Sequence, residues 1–583
     1  MTRTLPSLLG LAMIWSCGST RTPPRPATPE SPPSLSSDAE GPLKHRPAPT
    51  SPEIRAEDLM TRLYIFADDS MLGREAGTEG NVRGTNYLAA EAQRIGLLPA
   101  GENGTYFQTV PLIQRAPDSS STLTIDGTRL RLGEDFIPLP VFPSFLPYGS
   151  ELQAENPPAI FAGRLGDSLT ASFLAQATGK LVVFAPALGR DGKPISSLYA
   201  KGPPPAVPGA AGAAFVTLEL VPKEQLEFLL APQALVTTTV EETRRTPLGM
   251  LISSAVAERL FGASLATLKP GTTGKPLRGH AKFTATPPAA PARNVIAVLP
   301  GSDSRLKGSY VALGSHNDHL GTKPGAEAVD HDSLRLFNAV SRPEGQNKPP
   351  KPLTPADSAA VQRQLDSLRR VRPARSDSIF NGADDDGSGS VAMLEMAEAM
   401  VRDRPKRSIL FVWHTAEEKG LYGSQWFTDH PTVPRDSIVT QLNMDMVGRG
   451  RKSDTERGGP NALGLVGSRR LSTELGDLIE RVNRGRQPPF EFDYTYDADG
   501  HPDNVYCRSD HYMYARYGIP IAFFSSGIHR DYHMVTDEPQ YIDYSRMARV
   551  ATFIRDIARD VADMDHRPVV DKPKPDPKAP CQQ

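Results

Sequence analysis

Tyr310-Val311-Ala312-Leu313-Gly314-Ser315-His316-Asn317-Asp318-His319 runs a short apolar segment straight into a histidine and an aspartate. Ser408-Ile409-Leu410-Phe411-Val412-Trp413-His414-Thr415-Ala416-Glu417-Glu418 repeats the arrangement with a pair of carboxylates. Apolar runs of this length, with Asn294 to Leu299 as a third, read as strands buried on both faces of a sheet. Between them Leu394, Ala397 and Met400 share one face of a helix that follows a Gly/Ser turn. Strands alternating with helices predict an α/β fold, a mixed and mainly parallel sheet flanked by helices. Its site belongs at the carboxyl ends of the strands.

The polar residues at those strand ends are the candidate chemistry. His316 follows a strand directly, Asp318 is close enough to accept a hydrogen bond from its other ring nitrogen, and His319 is the alternative ligand. In Asn381-Gly382-Ala383-Asp384-Asp385-Asp386-Gly387 three adjacent carboxylates precede a helix, where a cation or the helix N-terminus must offset their repulsion. Alone, they are equally a solvated cap. Glu417 and Glu418 leave a loop in different directions, so one can hold a metal while its neighbour faces a bound water; in isolation such a pair is ordinary surface. Asp445 stands among apolar residues in Asn443-Met444-Asp445-Met446-Val447, where an unpaired charge is costly. Late in the chain His511, His529 and His533 form a cluster whose spacing does not choose among them. Oxygen and nitrogen donors without thiolate suit zinc, with manganese and cobalt as alternatives.

With 65 Lys and Arg against 67 Asp and Glu, the 583-residue chain offers no basic field, and a nucleic-acid partner is discounted. Residues 1–16 carry a short apolar stretch ending in Ile14-Trp15-Ser16-Cys17, too short to span a bilayer, and resemble a lipoprotein-type signal peptide with Cys17 as the lipidated residue. The protein is expected to be exported and lipid-anchored in a bacterial envelope, or otherwise secreted, with membrane contact only through Cys17. Pro, Ser and Thr dominate 17–52, which reads as a disordered tether, and 566–583 reads as a disordered tail. Only Cys507 and Cys581 remain beyond Cys17, so no disulfide framework is expected. Short β-type runs such as Leu181 to Phe184 mark 136–268 as an inserted β-rich module, leaving 53–135 and 269–565 as a discontinuous catalytic domain. Asp69 to Thr78 reads as a glycine-containing loop between two helices.

Taken together these segments resemble the co-catalytic di-zinc aminopeptidases of metallopeptidase family M28, over about residues 56–562. Asp69-Ser70-Met71-Leu72-Gly73-Arg74-Glu75-Ala76-Gly77-Thr78 and Ser254 to Leu260 are similar to members with an inserted protease-associated domain. The resemblance implies two zinc ions per chain. His316, Asp385 and Asp445 would hold one and Asp385, Glu418 and His533 the other, with Glu417 as general base, Asp318 orienting His316, and peptides losing single N-terminal residues as substrates. A dipeptidase, carboxypeptidase or glutaminyl cyclase would keep the same ligands, and a non-catalytic binding ectodomain is the alternative of another class. A long stretch from Thr322 to Ser378 departs from the pattern and reads either as a lid or as a surface excursion.

Overall fold

A computed structural model shows the apolar runs paired into one nine-stranded mixed sheet whose centre is four parallel strands. It describes residues 40–139, 152–189, 191–195, 198, 207–237, 248–323, 327–579 and 581–583. The signal segment, Cys17 and residues 17–39 of the tether lie outside the described residues. The four central strands are β1 (Tyr310–His316), β2 (Ser408–His414), β3 (Ile438–Met444) and β4 (Ile521–Ser525), lying side by side in the order β2-β1-β3-β4. Parallel pairing of β1 with β2 and β3, and of β3 with β4, brings their carboxyl ends to one edge. Antiparallel strands Ala292–Leu299 and Ala462–Val466 flank the four.

Pleating sorts the apolar side chains onto two faces. Val311, Leu313, Ile409, Phe411 and Trp413 meet Leu59 and Leu63 of α1 (Ala56–Phe66), Leu88 of α2 (Glu79–Ile95), Leu394 of α3 (Gly389–Arg402) and Ile554 of α4 (Tyr544–Asp563). Their neighbours Ala312, Leu410 and Val412 point the other way, against Phe427 and Tyr514. Because both faces are covered, the strands carry unbroken apolar runs rather than alternation, as the sequence suggested. Among the described residues no helix is long and apolar enough to cross a membrane.

A second, eight-stranded sheet contains the run Leu181–Ala185, parallel to Leu152–Arg164 and Gly212–Phe215. This module is wider than the expected 136–268. Thr122–Ile125 and Thr273–Ala281 pair within its sheet, and Leu112–Pro117 pairs with both Gln233–Val236 and Phe283–Thr286, so it runs from about 112 to 286. Thr122–Ile125 forms a local hairpin with Thr128–Leu130, but its pairing with Thr273–Ala281, like that of Leu112–Pro117 with Phe283–Thr286, joins strands more than a hundred residues apart, which no local pattern reveals.

Both ends of the described chain depart from the expected disorder. Residues 40–52 lie on the domain of the nine-stranded sheet, where the Gly41 amide donates to the Gln540 carbonyl at 2.6 Å and Thr50 Oγ1 donates to Glu398 at 2.8 Å. At the other end Cys581 is disulfide-bonded to Cys507, with Cα atoms 5.8 Å apart, and Gln583 accepts from the Tyr506 amide at 3.0 Å. Two cysteines separated by 74 residues give no framework pattern in sequence, but they suffice to close the tail onto the domain. By loop-closure entropy a bridge across a loop of that length contributes about 4 kcal/mol at most. Cys581→Ser should therefore melt at lower temperature than the wild type, and dithiothreitol should lower the wild type to the same value while leaving the variant unmoved.

Candidate metal centre

Every expected ligand sits at or just beyond the carboxyl edge of the central strands. His316 is the last residue of β1; Glu417 and Glu418 follow β2 by three and four residues; Asp445 follows β3 directly; and His533 lies on the loop after β4. Asp385 comes from the turn that precedes α3. Asp385 turns one oxygen to each of two histidines, with Oδ1 3.0 Å from His316 Nε2 and Oδ2 3.2 Å from His533 Nε2. On the first side Asp445 Oδ1 is 3.7 Å from His316 Nε2; on the second Glu418 Oε2 is 3.1 Å from His533 Nε2.

Burial raises the cost of these charges, and their partners decide the outcome. For Asp385 burial pulls the pKa up, but the imidazoles of His316, His533 and His319 beside it hold it well below the carboxylate range. Glu418 is likewise raised by burial yet brought to about 2 by His533 and His319. Burial, then the nearby Glu418 and Asp445, push Glu417 well above its ordinary value against the pull of His316. The environment thus separates two adjacent glutamates, lowering the pKa of Glu418 and raising that of Glu417.

The three adjacent aspartates are satisfied separately. Asp384 Oδ1 accepts from the Gly448 amide at 2.6 Å, and its Oδ2 lies 3.1 Å from His529 Nε2. Asp386 accepts from the amides of His316 at 3.1 Å and Gly389 at 2.9 Å, tying β1 to the start of α3. Only Asp385 is left to face the centre. The amides of Asp384 and Asp385 both donate to Asp537 Oδ2, at 2.9 and 3.1 Å.

Asp318 acts differently from the expectation. His316 Nδ1 is 3.0 Å from the main-chain carbonyl of Asp318, while the Asp318 carboxylate is 3.8 Å away and accepts from the Glu417 amide at 3.1 Å. The tautomer of His316 is set by backbone, and the carboxylate holds the loop of the glutamate pair. Two strand-end loops are close enough here for one side chain to bridge them, which sequence spacing does not show. His319 is not an alternative to His316 but a member of the other group, its Nδ1 2.7 Å from Glu418 Oε1.

Several contributing residues carried no usable sequence signal. Ser509 Oγ donates to Asp445 Oδ2 at 2.8 Å. Arg74, on the stretch read as a mere connection, is fully buried and donates to the carbonyls of Asn381 at 2.7 Å and Gly382 at 2.9 Å. Leu72 and Gly73 take left-handed backbone angles to deliver it, and a Cβ at Gly73 would stand 2.1 Å from the Gly321 carbonyl oxygen. A glycine within a turn hints at such a conformation, but not at where it sends the next residue.

The donor set fits a pair of cations. His316, Asp385 and Asp445 form one group and His319, Asp385 and Glu418 another, each with donor atoms within 4.8 Å of one another, and His533 adjoins the second. The buried atoms His316 Nε2, His319 Nε2 and Asp385 Oδ2 have no hydrogen-bond partner, although buried polar atoms ordinarily do. Imidazole and carboxylate without thiolate is the chemistry zinc accepts. Beside the group opens a cavity of about 480 Å³, lined among others by Met446, Val466, Phe523, Ile528, Pro343 and Glu344.

The sequence model of peptidase family M28 matches residues 361–558, a span that contains Asp385, Glu417, Glu418, Asp445 and His533. Leucine aminopeptidase 1 of Paracoccidioides brasiliensis is 28% identical over 249 residues, covering 40% of this chain and 58% of that protein. Leucine aminopeptidase 1 of Coccidioides posadasii is 35% identical over 150 residues, covering 24% and 36%. The chain thus spans 58% or less of the length of these curated relatives. Among solved structures, the aminopeptidase from Aneurinibacillus sp. strain AM-1 aligns at TM-score 0.45 and 16% identity over 90% of this chain and 97% of its own. A zinc aminopeptidase from Bacillus subtilis aligns at TM-score 0.43 and 16% identity over 88% and 96%.

The geometry separates the three late histidines. His511 stacks on Phe523 at 4.6 Å between centroids, and burial lowers its pKa to about 3. A depressed histidine is neutral when folded and takes up a proton on unfolding, so its contribution to stability is present above about pH 6.5 and is lost as pH falls toward 3, at up to about 1.4 kcal/mol per unit. His511→Leu should keep the metal content of the wild type and show a shallower loss of stability by denaturant titration between pH 6.5 and 3. His533→Ala should instead lose bound metal by elemental analysis.

Proposed function

This chain belongs to peptidase family M28, and on that premise we propose that it is a zinc-dependent aminopeptidase working through two ions that share Asp385. The observation that carries the reading is the division of the Asp385 oxygens between His316 and His533, with Glu417 beside them. His316, Asp385 and Asp445 would hold one ion, and Asp385, Glu418 and His533 the other. Bound there, zinc supplies Lewis acidity toward a carbonyl and lowers the pKa of water toward neutrality. Glu417, its carboxyl raised by burial and by neighbouring carboxylates, receives the proton of the attacking water and returns it to the departing amine. Asp318 keeps the Glu417 main chain in position for both transfers.

The substrate class follows from the family and the cavity. The resemblance to the family implies a peptide's free α-amine at the metal centre, and the apolar lining of Val466, Phe523 and Ile528 beside it would receive an aliphatic or aromatic side chain. The β-rich module between 112 and 286 is read as the protease-associated domain of such an enzyme. Export to an oxidising compartment is supported by the Cys507–Cys581 bridge, since disulfides persist outside the cytosol, and Cys17 would be the lipid anchor there. Labelling with a lipid precursor should mark the wild type and be lost in Cys17→Ser.

Hydrolysis of a panel of aminoacyl-anilides, run beside elemental analysis, tests the mechanism. Two zinc per chain are expected in both the wild type and Glu417→Gln. The substitution should lower kcat by about 10²- to 10⁴-fold, the usual contribution of a general base. Full activity in Glu417→Gln would remove its role as base, and zinc-loaded protein inert on every free N-terminus would move the substrate to dipeptides, blocked peptides or C-terminal residues.

A further inference from the structure

The stretch from Thr322 to Ser378 is neither a detached excursion nor an unanchored flap. Short antiparallel pairs close its base, Gly321 with Phe380 and Thr322 with Ile379, then Val329 with Asp377 and Asp330 with Ser376. Inside, the helices His331–Ser341 and Pro355–Arg369 are joined by Arg369 donating to Asp332 at 2.7 Å. The stretch is thus a small folded unit in its own right.

Four of its side chains reach the loop that carries His533. Arg335 pairs with Asp531 at 3.4 Å and stacks 3.5 Å above the Tyr541 ring. Gln346 donates its main-chain amide to the Tyr532 carbonyl at 3.1 Å and its side-chain amide to the His533 carbonyl at 2.5 Å. Arg375 pairs with Glu538 at 3.1 Å, and the ring of His331 lies 3.1 Å from the Tyr541 hydroxyl. Contacts therefore recur from residue 531 to residue 541. The fit beside His533 is close: a Cβ on Gly345 would stand 2.3 Å from the Tyr532 carbonyl oxygen. Arg508 adds a tie across the cavity, donating to Asn347 at 3.1 Å and to the Tyr532 hydroxyl at 3.2 Å.

His533 needs such support. Its φ is +57°, a left-handed conformation that a side-chain-bearing residue holds only when its surroundings impose it. Tyr532 stacks on its ring at 3.8 Å, so the Tyr532 backbone and ring, both gripped from the 322–378 unit or through Arg508, bear directly on imidazole orientation. We propose that the 322–378 unit is a brace for the His533 loop, and that Gln346 is a positioning residue which sets one of the two metal sites. This deepens the two-ion reading and rests on it. Pro343 and Glu344 of the same unit also line the cavity.

Zinc titration against a competing fluorescent chelator, on the full chain stripped and then reloaded, reads the two sites separately. Gln346 is exposed, so Gln346→Ala removes the side-chain donor without opening the core. It should weaken one zinc by about tenfold, the scale on which ligand-supporting hydrogen bonds act, while the other zinc and the metal-free melting temperature stay at wild-type values. Arg375→Gln, which frees Glu538 at the opposite end of the loop, should weaken the same zinc. Two wild-type affinities in both variants, or equal weakening of both ions, would overturn the brace alone. A wild-type chain that takes up only one zinc would overturn the brace together with the two-ion reading.

Discussion

One constraint organises this molecule: four buried or half-buried carboxylates, Asp385, Glu417, Glu418 and Asp445, must be brought together at the edge of a sheet. Such a cluster repels itself and loses hydration, so each member needs its direction imposed from outside. The protein does this largely with backbone. The Asp384 and Asp385 amides are fastened to Asp537, the carbonyls just before them to Arg74, and the Glu417 amide to Asp318. Asp386 is occupied with the amides of β1 and α3, which leaves Asp385 as the member of its run that turns inward. Three consecutive aspartates are therefore two anchors and one carboxylate turned toward the centre.

The sheet provides the spacing on which that pattern depends. In the parallel ladder His316 at the end of β1 is opposite His414 at the end of β2, so the residues that continue each strand emerge together. His414 itself is turned away, its Nδ1 3.1 Å from the Ser315 carbonyl and its Nε2 2.9 Å from the Tyr514 hydroxyl. Equivalent strand positions thus serve opposite ends: one histidine reaches the centre and the other fastens the helix layer beneath it.

The fold was legible because burial on both faces leaves a plain mark, the unbroken apolar run. Val311 and Phe411 meet helices on one side while Ala312 and Leu410 meet them on the other. The ligands were legible for a related reason, since charged residues directly after such runs are costly without a partner. What stayed hidden was reach. Arg74 lies more than three hundred residues from the carbonyls it holds, Asp318 serves Glu417 rather than His316, and Ser509 finds Asp445 from a different loop. Each is a long-range hydrogen bond whose donor and acceptor have no shared period or motif. The same holds for the Cys507–Cys581 bridge, where two isolated cysteines gave no pattern to read.

The parts that extend the catalytic sheet are not spread evenly around it. The brace ends on the loop of His533, and the strap formed by Cys581 and Gln583 ends on residues 496–507, five of which, Tyr496, His501, Pro502, Asp503 and Val505, line the cavity. Residues 40–52 run beside them, Gly41 joining Gln540 just beyond that loop and Glu40 pairing with Arg372 of the brace at 3.1 Å. Loops at a strand edge have few apolar contacts of their own and are the first segments to open locally. A site that must hold like charges in fixed directions gains most from support at those loops, where backbone freedom would otherwise let the carboxylates separate. The N-terminal segment, the brace and the C-terminal strap converge on the same edge because the electrostatic cost of the centre is met by rigidity in the loops that carry it.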